Sequence, residues 1–274
     1  MNLEDCFISH FSIKSKRIGD DGALIGGYVY SKDAFFEDVH FKRNWMSLKE
    51  IAYRAMIVNI SDAVAMNATP LYALLAVAMP KDIGRSGMKE ISSGFIQAAE
   101  KYGIDIIGGD TISNSKLDIS VTIISKTKKP LLRRGMKKGD LLAYTGRIGD
   151  SKKDLKKLLR GGVLHPRSKF RNIMLRDAFI SRATRYLSSG MDISDGIFSD
   201  LDKLSSVNAL GYDFLKKISK DIGCSGEEYE MLVSFGAREK KAVQRRAAQT
   251  RTPITVFAKA ARKRYKNRCK PHHF

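Results

Sequence analysis

Six aspartates stand beside Gly or Ser at the margins of apolar runs. They are Asp20 and Asp21 in Gly19-Asp20-Asp21-Gly22, Asp62 in Asn59-Ile60-Ser61-Asp62, Asp110 in Gly108-Gly109-Asp110-Thr111, and Asp192 and Asp195 in Met191-Asp192-Ile193-Ser194-Asp195-Gly196. Carboxylates gathered at one place repel one another unless hard cations share the site, and divalent cations prefer oxygen ligands. The pattern therefore points to a polyphosphate site built on divalent metal and assembled from distant parts of the chain. Gly108 and Gly109 let backbone approach a neighbour closely, at the end of a short apolar strand that holds Asp110. Asp62 lies one turn after Asn59 on a segment that is apolar almost all round. An unpartnered carboxylate there is costly, so cation binding is favoured over a simple capping role.

These residues need elements to hold them. Gly26-Gly27 between β-prone runs predicts a strand pair over 22–36. Ser47 and Glu50 form a capping-box pattern that starts a buried helix running to Met66. Pro70 ends it. Residues 71–79 read as a fully buried strand, 86–102 as a helix stopped by Gly103, and 104–110 and 117–124 as strands. This makes an α+β unit, and the basic run 126–138 marks its boundary, giving domains over 1–130 and 131–274. Beyond it the pattern predicts a strand near 141–146, helices over 151–160, 170–187 and 197–207, a strand over 231–235, a helix over 239–249, and a strand at 254–257. The glycine-rich corner at 146–151 has the form of a helix N-terminus that can receive phosphate.

Composition narrows the function classes. With 43% hydrophobic residues and 6 prolines, the chain is globular. No apolar run reaches the roughly 18 residues of a membrane span, and the acidic start has no secretory pattern. Cys6, Cys224 and Cys269 are odd in number and widely spaced, which fits neither a disulfide framework nor a zinc site, so a cytoplasmic setting is expected. The net charge of +20 suggests nucleic acid at first sight, but +12 of it lies in 237–270. No zinc-finger spacing, aromatic RNP-like run or recognition helix accompanies it, so nucleic acid is not expected as the main partner.

The motifs, in order, are Gly19-Asp20-Asp21, Val39-His40-Phe41, Asn59-Ile60-Ser61-Asp62, Gly108-Gly109-Asp110-Thr111, Arg133-Arg134-Gly135-Met136-Lys137-Lys138-Gly139-Asp140, Met191-Asp192-Ile193-Ser194-Asp195-Gly196 and Gly226-Glu227-Glu228-Tyr229-Glu230. Over about residues 15 to 235 this order resembles the thiamine-monophosphate kinase family, within the aminoimidazole-ribonucleotide synthetase superfamily. The resemblance implies a two-domain α+β fold: an N-terminal mixed sheet with helices that pairs across a homodimer, and a C-terminal α/β sandwich. It implies transfer of the γ-phosphoryl of ATP to thiamine monophosphate, with several Mg2+ ions and no dedicated general base, because the acceptor phosphate is already an anion. Position by position, it implies metal contacts from Asp21, Ser31, Lys32, Asp33, Asp62, Asp110, Asp192 and Asp195. It further implies ATP contacts from Gly109, Asp110, Arg133 and Ser194, and substrate contacts from His40 and Glu227. Lys32 stands where the family has Thr, which is harmless if only the backbone carbonyl serves. Tyr265 and Phe274 are candidates for an aromatic that stacks on the thiamine ring.

Two other readings compete. Another ATP-using enzyme of the superfamily would share the fold, although Cys6 lacks the glycine-rich context of a reactive cysteine. A basic nucleic-acid-binding protein would account for the tail and leave the carboxylates unexplained.

Overall fold

The computed structural model describes residues 3–12 and 17–270; the candidate Phe274 lies outside them. After α1 (Leu3–Ser12), the chain forms β1 (Ala23–Ile25), β2 (Tyr28–Phe36), α2 (Leu48–Ala65), β3 (Thr69–Met79), α3 (Gly84–Tyr102), β4 (Asp105–Ser113) and β5 (Asp118–Lys126). The five strands make one sheet in the order β1-β2-β5-β3-β4, with only β3 and β4 parallel among these pairs.

Strand parity decides what each residue of this sheet faces. Asp33 pairs with Val121, Val121 with Leu75 and Leu75 with Gly109, whereas Lys32 pairs with Thr122, Thr122 with Leu74 and Leu74 with Gly108. Odd-numbered residues of β5 and β2, such as Val29, Phe35, Ile119, Val121 and Ile123, are buried beneath α2. Even-numbered ones form an open face on which Tyr30, Tyr72, Leu74 and Ile112 are exposed. Residues 71–79 were expected to be fully buried; β3 instead alternates, because only one face of the sheet is covered.

The capping box at Ser47 and Glu50 is present, with Ser47 Oγ accepting from the Glu50 N–H. α2 has almost no polar side because it lies between two sheets, and its core continues into the second one through Met231, Val233 and Phe235. Gly94 of α3 allows the two helices to pack: a Cβ there would sit 2.2 Å from the Lys49 carbonyl oxygen.

The second sheet is formed by β6 (Leu141–Thr145), β7 (Ser189–Asp192), β8 (Gly211–Phe214), β9 (Met231–Phe235) and β10 (Ile254–Ala261) in the order β7-β9-β6-β10-β8, with antiparallel pairs throughout. Its outer face carries a second core around α6 (Ile197–Asn208), including Leu142, Phe198, Leu201, Leu232 and Phe257. α4 (Asp150–Leu159), α5 (Asp177–Ala183), α7 (Lys220–Gly223) and α8 (Lys240–Gln249) complete the chain. The helix expected over 170–187 begins only at Asp177; the preceding segment turns inward to bury Phe170.

The cysteine expectation is corrected by the fold. Cys224 and Cys269, 45 residues apart, form a disulfide with Cα atoms 5.6 Å apart. It ties the irregular basic segment after β10 to the loop following α7, where Tyr265 donates to the Phe198 carbonyl and packs on Tyr212. No helix among the described residues is long and apolar enough to cross a membrane.

Candidate active site

Asp21 from the loop before β1, Asp62 from α2 and Asp192 from the end of β7 place carboxylate oxygens within 4.8 Å of one another. The Asn-Ile-Ser-Asp motif explains how α2 is fixed to do this. Asn59, fully buried, accepts from Ser31 Oγ at 2.8 Å and donates to the Val121 carbonyl, locking α2 to β2 and β5. Ser61 donates to Asp192 Oδ2 at 2.6 Å and so locks α2 to the second sheet. With both neighbours engaged, Asp62 is left facing the cluster.

The electrostatics are those of crowded acids. Burial, then the charges of Asp33, Asp192 and Asp21, lift the Asp62 carboxyl well above its usual range. Asp192 is raised in the same direction by burial and by Asp21. Asp33, on the inner face of β2, is pushed up to about 6 by burial and by the charges of Asp21 and Asp195. Burial also lifts Asp20 to about 6, although it accepts the Arg133 N–H at 2.7 Å. Arg133 supplies positive charge: its Nε and Nη2 both reach Asp21 Oδ1, at 3.1 and 2.5 Å. Asp21 Oδ2 is buried with no hydrogen-bond partner. An orphaned carboxylate oxygen beside half-buried Asp62 and buried Asp192 suits a divalent cation, which takes six or more oxygen ligands or waters.

The remaining candidates are distributed unevenly. Ser31 lies on the inner face, with its hydroxyl committed to Asn59. Lys32 lies on the open face, where its ammonium reaches Ser120 Oγ at 2.9 Å. Asp195 borders the cluster, and its carboxylate is paired with Lys203 at 2.5 Å. Gly109 and Asp110 sit on edge strand β4, three strand spacings or about 14 Å across the sheet from β2. Gly109 takes φ 150°, and a Cβ there would fall 1.7 Å from the Leu75 carbonyl oxygen, so the glycine lets β4 close onto β3. Asp110 is exposed, accepts from the Thr111 N–H at 2.8 Å and faces away from α2. Within one chain it does not join the other carboxylates.

Beside the cluster lies a cavity of about 390 Å³ whose lining includes Val39, His40, Phe170, Ser194, Asp195 and Glu227. His40 Nδ1 accepts the Phe36 N–H at 3.0 Å, and its ring packs 5.6 Å from that of Phe35. Glu227 takes φ 54°, held by its N–H donating to the Ser194 carbonyl at 2.6 Å. Its Oε2 accepts from buried Arg54. Neither Phe170 nor Arg54 was singled out from sequence. Phe170 was hidden inside an expected helix, whereas Arg54 had a visible signal, a lone cation in an otherwise apolar stretch.

The acidic turn divides its work. Glu228 is buried and accepts from the N–H groups of Gly149 and Ser151 at 2.7 and 3.3 Å, and Lys169 lies 2.8 Å from its other oxygen. The corner expected to receive phosphate is thus capped by the protein's own carboxylate. Glu230 is buried too; burial opposes its charge, but the bonds from Arg176 and the charges of Lys169 and Arg176 hold its carboxyl below the usual range.

The family description "AIR synthase related protein, N-terminal domain" matches residues 19–127. The chain is 34% identical over 229 residues to the thiamine-monophosphate kinase of Rhodopirellula baltica, covering 76% of this chain and 69% of that protein. It is 30% identical to the thiamine-monophosphate kinase of Bacillus subtilis, covering 90% and 85%. Among solved structures, AaThiL complexed with AMPPCP and TMP superposes with a TM-score of 0.84 at 22% identity, over 97% of this chain and 94% of that one. A HypE–HypF complex superposes at 0.80 with 16% identity, over 95% and 93%. Likenesses at these identities establish the shared fold.

Proposed function

The chain belongs to the thiamine-monophosphate kinase family, and we propose that its site moves the γ-phosphoryl of ATP directly onto the phosphate of thiamine monophosphate. The observation that carries the reading is the junction of a carboxylate cluster with a cavity whose lining includes two acidic side chains, Asp195 and Glu227, together with His40 and Phe170. Asp21, Asp62 and Asp192 would hold Mg2+, with Asp33 and Asp195 beside them. Bound there, Mg2+ supplies charge neutralisation between two anionic phosphates and a template for in-line transfer.

The chain's own residues do the rest. Arg133, anchored by Asp21, offers a planar fork to phosphate. His40 and Glu227 bind the thiamine portion in the cavity, and Ser194, on the same wall, contacts ATP. No side chain is required to remove a proton, since the attacking oxygen is already ionised. The cytoplasm is proposed as the setting because ATP is the co-substrate, and the domain division is proposed at 130/131, between the two sheets.

We propose further that the open face of the first sheet pairs with a second copy, and that Asp110 serves the site from across that interface. The exposed Tyr30, Tyr72, Leu74 and Ile112, the exposed edge strand β4 and the outward Asp110 support this. The product assay uses purified protein, ATP, Mg2+ and thiamine monophosphate, with thiamine diphosphate read by chromatography. Formation that EDTA abolishes is expected, and no product from folded, ATP-binding protein would refute the assignment. Asp62→Asn and Asp110→Asn are each expected to lose about 100-fold or more in turnover. Mixing the two inactive variants restores activity if Asp110 acts across the dimer; continued inactivity of proven heterodimers would refute it.

A further inference from the structure

Arg54 is the largest fully buried side chain among the described residues, 2% exposed within apolar α2. A buried guanidinium is tolerated only with close counter-charge and hydrogen bonds. Here both hydrogen-bond partners belong to residues that line the cavity, Glu227 directly and Phe170 at its buried edge. Nη1 donates to the Phe170 carbonyl, and Nη2 donates to Glu227 Oε2. The guanidinium also lies 4.3 Å from the centroid of the Phe170 ring and 6.0 Å from that of Phe35. One residue of the first sheet's helix thereby holds, from beneath, an acidic and an aromatic side chain that both belong to the second half of the chain.

The rest of Glu227 shows why such an anchor is useful. Its backbone occupies the left-handed region, where a non-glycine residue is strained, and it is held there through the Ser194 carbonyl. With Oε2 taken by Arg54, Oε1 has no partner among the described residues. The carboxylate is fixed at one oxygen and available at the other, in a cavity that Phe170 also lines. A fixed carboxylate next to an aromatic ring is a receptor for a flat organic cation, which gains from both the charge and the π face.

We propose that Arg54 is a positioning residue for substrate recognition, holding Glu227 and Phe170 in register for the cationic thiazolium ring of thiamine monophosphate. The inference rests on the proposed function and adds the residue that sets its specificity pocket. Arg54 touches the pocket walls, so it acts on the organic half of the substrate and not on the nucleotide.

The test is calorimetric binding of thiamine monophosphate and, separately, of ATP with Mg2+, to wild type, Arg54→Met, Arg54→Lys, Glu227→Gln and the Arg54→Met/Glu227→Gln double variant. Thermal melts run alongside check folding. Arg54→Met is expected to weaken thiamine monophosphate about tenfold or more and leave ATP within about twofold. Arg54→Lys keeps the charge without the fork and is expected to lose about threefold. In the double variant the loss should fall short of the product of the two single losses, since both variants remove the shared Arg54–Glu227 contact. Unchanged affinity for thiamine monophosphate in Arg54→Met and Arg54→Lys overturns the proposal, as does a parallel loss of both ligands, which marks a merely structural role. If Arg54→Met does not fold, Arg54→Lys and Glu227→Gln decide the question by the same criteria. Wild type that binds ATP but not thiamine monophosphate refutes the functional reading itself, and this inference falls with it.

Discussion

Asp33→Asn separates the carboxylate cluster's effect on stability from its effect on activity. Burial and the charges of Asp21 and Asp195 raise the Asp33 carboxyl from 3.8 to about 6. That rise corresponds to about 3 kcal/mol against the ionised form, an upper figure because the cluster is partly open to solvent; about 1–3 kcal/mol is the expected range. The sign follows from linkage. The folded chain holds this proton more tightly than the unfolded chain, so stability is highest below pH 3.8. It falls as pH climbs to about 6 and is level above that. No side-chain hydrogen bond to Asp33 is present among the described residues, so the isosteric amide removes charge and little else. In EDTA at about pH 7.5, urea unfolding should therefore show Asp33→Asn more stable than wild type by about 1–3 kcal/mol, with the advantage shrinking to nothing near pH 4. Saturating Mg2+ should close or reverse the gap, because wild type then gains about 2.7 kcal/mol at 100 times Kd from a ligand bound only to the folded state. A variant that is less stable than wild type in EDTA, or an advantage unchanged at pH 4, would refute the reasoning.

Two further perturbations address the scaffold. Cys269→Ser opens a loop closed across 45 residues and should cost up to about 4 kcal/mol on chain-entropy grounds. Reductant should reproduce the loss in wild type and do nothing to the variant in denaturant titrations. Gly109→Ala must push β4 off the Leu75 carbonyl and should destabilise the protein by about 1–3 kcal/mol, with faster amide exchange confined to β3 and β4. Exchange rates matching wild type along both strands would show that the glycine is dispensable there.

Local chemistry was readable wherever neighbours in sequence determine it. Ser47 and Glu50 announced α2, Gly26-Gly27 announced the first hairpin, and Asn59, Ser61 and Asp62 each perform a separate task in one turn of helix. What escaped depends on register and on distant partners. The resemblance implies metal contacts from both Asp33 and Asp110, yet one-residue parity across four paired strands sends them to opposite faces. Glu227 and Glu228 are adjacent, but the first lines the cavity and the second caps α4 from inside. The pairing of Cys224 with Cys269 could not be inferred from spacing, because it is set by how the last segment folds back over α6.

α2 belongs to both halves of the molecule at once. Its apolar surface is the meeting ground of the two sheets, and Asp192 reaches the cluster only because the second sheet lies against it. Neither half retains a complete interior when separated from the other, since each supplies the other's cover. Melting should accordingly register in calorimetry as one cooperative transition with matching calorimetric and van't Hoff enthalpies. A chain cut at the boundary between the sheets would break up the carboxylate cluster and lose its folded state in the same event, so this protein has no resting form in which one half is intact and the cluster alone is missing.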